Sequence, residues 1–135
     1  MSGETQRARA LGAFLNSEDG ENLLQAFKRA NNILSQAEEQ DGVEYSFGAD
    51  EKLAQMDEEK VLFKELKSVT SVIIAALEND DFQAAMRHLA KLRRPIDGFF
   101  EAVQVNTDNV VVRRNRLNLL SEIRAICLTV ADLSL

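Results

Sequence analysis

Apolar residues recur at three- and four-residue steps along most of this chain, and that spacing predicts helices. The cleanest stripe is Leu62, Leu66, Val69, Ile73 and Ala76. Asp57 stands ahead of it as a cap, with Glu58 and Glu59 suited to the positive end of a helix. Upstream, Leu23, Phe27, Ala30, Leu34 and Ala37 form a second stripe. Ser17 is placed to cap that helix, and Glu18, Asp19 and Glu21 fill its first turn. Lys28, Arg29 and Asn32 fall off the stripe and face water or a ligand, while Asn31 lies near its edge. A short helix over Glu4 to Asn16 comes first, with Leu11, Phe14 and Leu15 apolar.

Between the two stripes, Gln40 to Gln55 has weak periodicity and holds Gly42 and Gly48, so it reads as a loop with a turn of helix near Lys52. Tyr45 and Phe47 are expected to tack it to the body. After a cap at Asp80 or Asp81, Phe82, Ala85, Met86, Leu89 and Leu92 give a shorter stripe. Pro95 fits the first turn of another helix, where its missing N–H would be unpaired anyway. That helix turns Ile96, Phe99, Phe100 and Val103 inward. Asn106 and Asp108 are turn and cap residues before a last helix from about Asn109 to near Leu133. The expected fold is an all-α helical bundle forming a single domain over residues 1–135.

Composition supports helices, with one proline and six scattered glycines. The single Cys127 permits no internal disulfide and fits a reducing compartment. No apolar run approaches the roughly 20 residues of a membrane span. Met1-Ser2-Gly3 is compatible both with a native start and with a chain that begins earlier. Catalytic chemistry finds little footing. His88 is the only histidine, so no His-based metal cluster or triad can be built. No glycine-rich phosphate loop is present, and Cys127 reads as a buried thiol. The expectation is a chain without a catalytic centre, metal or cofactor of its own.

Charge is unevenly spread. Residues 86–124 carry eight bases and four acids, a net of +4, while the whole chain carries −6, leaving −10 elsewhere. A basic segment on an acidic protein points to an anionic partner, although solvated basic surfaces are common. On a helical wheel the last helix has a broad apolar stripe of Val112, Leu119, Leu120, Ile123, Ile126, Cys127 and Val130. Arg116 projects into that stripe, so a structural role is expected, with Asp97 or Glu101 as its counter-charge. Arg114, Asn118 and Ser121 project from the opposite side, and Arg113 and Arg124 lie along one margin. Arg93 and Arg94 extend the same basic surface.

Three blocks carry a resemblance: KRANNIL at 28–34, LRRPIDGFF at 92–100 and RRNRLNLL at 113–120, with ADLS at 131–134. In order and spacing they resemble the C-terminal part of the β subunit of bacterial-type glycyl-tRNA synthetase. The resemblance implies a helical anticodon-binding domain like those ending arginyl- and cysteinyl-tRNA synthetases. It also implies that the chain is the tail of a longer, cytoplasmic subunit. The partners it implies are glycine tRNA and an α subunit that carries the glycine chemistry with ATP and Mg, with no membrane and no DNA. Val103-Gln104-Val105-Asn106 departs from the family's methionine-rich run. On this reading Lys28, Arg29, Arg93, Arg94, Arg113, Arg114 and Arg124 grip phosphate, and Asn32 and Asn118 meet base edges or sugars. The alternative is a helical protein-interaction module that docks onto a larger subunit without touching RNA.

Overall fold

The computed structural model describes residues 9, 10, 12–46 and 48–134, with side chains described through 129 apart from those of residues 11 and 47. Five α-helices and one 3-10 turn make up its elements from residue 18 onward, and no strand occurs among the described residues. They are α1 (Glu18–Asp41), the 3-10 turn Glu51–Leu53, α2 (Asp57–Glu78), α3 (Phe82–Ala90), α4 (Arg93–Ala102) and α5 (Val110–Ser134). Of the expected Glu4 to Asn16 helix, residues 9, 10 and 12–15 are helical, and residues 1–8 and 11 lie outside the described residues. So does Phe47.

Local chemistry sets the ends. Ser17 caps α1 by accepting from the Gly20 amide at 3.1 Å. Gly20 must be glycine, because a Cβ there would lie 1.7 Å from the Phe14 carbonyl oxygen. Gly42 closes α1 in the left-handed region, at φ 69°, and donates to Glu38 O. Asp81 caps α3 through the Ala84 amide. Two caps fall one residue from their expected places. Met56, not Asp57, precedes α2, and the Glu59 carboxylate reaches back to its amide at 3.2 Å. Asn109, not Asp108, starts α5 by accepting from Val111 and Val112.

α1 packs on α5 and α4, and α2 packs on α3, α4 and α5. The stripes named above supply the core, with Leu77 in place of Ala76 at the end of α2 and Ala26 more deeply buried than Phe27. α5 is the central helix, and every residue from Asn115 to Ser121 is buried. Its third side is closed by the loop after α1. Asn115 accepts from the Asp50 amide at 2.7 Å and donates to the Asp50 carbonyl, and Glu122 accepts from the Ala49 amide. A one-sided wheel therefore misplaces Asn118 and Ser121: each is 7% exposed, not surface polar.

Arg116 is buried as its position requires, at 6% exposure. Its partner is neither Asp97 nor Glu101. It donates to Glu59 Oε1 at 2.8 Å and to the Gln104 carbonyl at 2.6 Å, tying the start of α2 to the segment between α4 and α5. Asp97 instead lies 3.8 Å from Arg93, on the α1 side of α4. His88 is half-buried beside Lys91, and Cys127 is half-buried with its thiol pushed up by burial.

Candidate nucleic-acid interface

α1 and α4 run side by side, and their junction places the basic residues in a row. At its head Arg93 donates to Asp19 at 2.5 Å. About three turns on, the Arg29 guanidinium lies over the Phe100 ring, 4.6 Å from its centroid. Beyond Phe100 the chain leaves α4 along Val103–Asn106. Val103 and Val105 are buried there, whereas Gln104 and Asn106 are exposed. Asn106 accepts from Arg113 Nε at 3.2 Å, and Arg113 in turn donates to Asp41 at 2.7 Å at the tail of α1. The seam thus follows α1 from Asp19 to Asp41, about 33 Å at 1.5 Å per residue.

The expected phosphate contacts divide on this geometry. Lys28, Arg29 and Asn32 are exposed on the outer face of α1, as their positions off the stripe require. Arg114 is exposed at the head of α5, and among the described residues it has no hydrogen bond or ion pair. Three others are paired. Arg93 meets Asp19, Arg113 meets Asp41, and Arg124 meets Glu38 through two bonds of 2.8 and 3.2 Å. Arg94 points away from the seam, into a groove beside α2 lined by Asp57, Glu58 and Glu65. Asn118, expected at this surface, is instead buried by the packing around α5.

Electrostatics follow from the pairs. The Arg124 bond holds the Glu38 carboxyl below its ordinary value. Asp41 is held low first by the Tyr45 hydroxyl, which donates to it at 2.6 Å, and then by Arg113. Tyr45 itself is pushed up, chiefly by burial. Each pair is locally neutral, which leaves Lys28, Arg29 and Arg114 as the bases of this set without an ion pair among the described residues, beside exposed Glu18, Glu21, Glu39 and Glu101. A paired guanidinium still has donors to spare, because five N–H groups exceed what one carboxylate takes.

Phe100, expected to face inward, is half-buried with Arg29 over its ring, and it shares this surface with exposed Gln104 and Asn106. The signals were present. Adjacent Phe99 and Phe100 are 100° apart on a helix, so with Phe99 fully buried Phe100 falls at the edge of the core, where it is half-buried. Val-Gln-Val-Asn alternates with period two, which puts both amides on one side of an extended segment.

Among the described residues, no helix is long and apolar enough to cross a membrane, and no three His, Cys, Asp or Glu side chains are placed to hold a metal ion. Bundled helices around a buried ion pair define an all-α helical domain, one side of which carries oriented arginines and outward amides. Residues 23–132 match the DALR anticodon binding domain, and the chain belongs to that family. It is similar to the glycine–tRNA ligase beta subunit of a Ruegeria species, at 66% identity over 129 residues, 96% of this chain and 19% of that protein. The same-named subunits of Dinoroseobacter shibae and Paracoccus denitrificans are 65% and 60% identical over 128 and 126 residues. These cover 95% and 93% of this chain and 18% of each subunit. The chain therefore spans about a fifth of the length of these relatives.

Proposed function

We propose that this chain is the domain with which a glycine–tRNA ligase β subunit holds the anticodon arm of glycine tRNA. Glycine activation, with ATP and Mg, takes place on a partner α subunit in the cytoplasm. The observation that carries this reading is the exposed set Lys28, Arg29 and Asn32 on the outer face of α1, in a chain of an anticodon-binding family. Lys28 and Arg29 supply unneutralised charge for phosphate, and Asn32 supplies an amide that both donates and accepts. Arg93 and Arg113 hold the seam in shape and lend their spare donors at its ends, and Arg124 ties α5 to Glu38 of α1.

The test is binding of glycine tRNA to the chain across a range of salt concentration. Phosphate contacts release counterions, so the logarithm of affinity should fall linearly with the logarithm of salt concentration. An affinity indifferent to salt, or no binding at low salt, contradicts the proposal. A module that docks only on protein would bind its partner undisturbed by added tRNA.

A further inference from the structure

Resting on that reading, we propose that the groove between Arg29 and the Phe100–Asn106 segment is a subsite for one unstacked base of the RNA loop. Arg29 is the platform, and Glu101, Gln104 and Asn106 meet the base edge.

Among the described residues, Arg29 differs from the paired arginines in one respect. Arg93, Arg113 and Arg124 are oriented by carboxylates, whereas Arg29 is oriented by a ring and makes no ion pair or hydrogen bond. The Arg29 Cζ sits over the Phe100 ring, 4.6 Å from its centroid, and the side chain as a whole is exposed. Phe100 is itself fixed edge-on against buried Phe99, with centroids 5.7 Å apart at 70°. A planar cation held over a ring and open to solvent is a surface on which an unpaired base stacks. A phosphate would not need the ring.

The groove beside this platform is lined by Ile33 on one side and by residues 100–106 on the other. Its far wall is held at two points. Buried Arg116 grips the Gln104 carbonyl from inside, and Arg113 grips Asn106 Oδ1 from the rim. With Oδ1 engaged, Asn106 presents its NH2 as a donor, exposed Gln104 presents a whole amide, and exposed Glu101 presents acceptors only. Donors and acceptors side by side suit a Watson–Crick edge, which carries both.

The experiment uses the intact chain and an RNA hairpin carrying the glycine anticodon loop, with each loop base in turn made abasic. Arg29→Lys keeps the charge and removes the plane. It should melt like the parent, keep the parent's salt slope and bind the hairpin about tenfold more weakly. One abasic position should cost the parent about the same factor and cost Arg29→Lys nothing further. Gln104→Ala, at an exposed side chain, should lose affinity only against hairpins that retain that base. An Arg29→Lys chain that binds like the parent overturns the subsite, because a point charge would then suffice. So does an equal penalty at every abasic position. Absence of salt-dependent binding by the parent overturns the tRNA reading itself, and the subsite with it.

Discussion

Replacing Arg116 by methionine removes one half of a charge pair that water does not reach. Arg116 is 6% exposed and Glu59 1%, so solvent screening does little to weaken their 2.8 Å contact. The loss strands a carboxylate in the interior, with its Oε2 already lacking a partner among the described residues. Breaking a buried pair from one side costs about 3–5 kcal/mol. A domain of this size shifts by about 3–5 °C per kcal/mol, so Arg116→Met should melt roughly 10–20 °C below the parent. Glu59→Leu alone should be comparably harmful, because it leaves the guanidinium unpaired and removes the bond to the Met56 amide. The double variant should recover much of the loss, since apolar replacement of a whole buried pair is often neutral. Thermal melts of the four proteins form a cycle, and its coupling should reach about 2 kcal/mol or more, above the spread expected of independent sites. Amide exchange at residues 104–106 should also quicken in Arg116→Met, because the Gln104 carbonyl loses its anchor. An Arg116→Met chain melting within about 2 °C of the parent would refute the reasoning, as would strictly additive losses.

Three other outcomes follow from the same contacts. Asn118 buries an Oδ1 with no partner among the described residues, so Asn118→Leu should raise the melting temperature by a few degrees, about 1 kcal/mol, and leave RNA affinity unchanged; a loss of affinity would return Asn118 to the interface. Arg114→Ala should change stability by under about 0.5 kcal/mol yet flatten the salt slope of RNA binding by about one phosphate contact, and an unchanged slope would remove Arg114 from the interface. Glu38 and Asp41 are held below their ordinary values of 4.5 and 3.8, so their stabilisation is present above those values and is lost as pH falls through the lower folded values. Melting temperature should therefore drop as pH falls below about 4.5, opposed in part by half-buried Glu122, whose raised value favours its neutral form in the fold. Glu38→Gln should show a shallower acid loss, and an identical pH profile would show that the Arg124 pair contributes nothing.

Periodicity located the buried faces well because the stripes of α1 and α2 each have a polar back. α1 bears this out down to its Ser17 cap and the exposed Lys28, Arg29 and Asn32. Arg116 was legible as a buried charge for the same reason. Its counter-charge was not, since Glu59 lies 57 residues away and a stripe reports which face is buried, not what covers it. Asn118 was misplaced because a wheel assumes one buried side, and α5 has three. The net charge of residues 86–124 also hid the pairing of Arg93, Arg113 and Arg124 with carboxylates of α1, since a sum over sequence ignores neighbours in space. The groove lay outside both methods. It depends on a ring under an arginine and on two amides turned outward by their valine neighbours.

The most direct test of the α1 surface as the RNA-binding face is a crosslinking map of the intact chain with glycine tRNA. Crosslinks should concentrate at Lys28, Arg29 and Asn32 and at Gln104 to Asn106, and should vanish when unlabelled tRNA competes. Crosslinks confined to the outer face of α2, at Lys64 and Lys67, would place the RNA on the opposite side of the bundle and contradict the account.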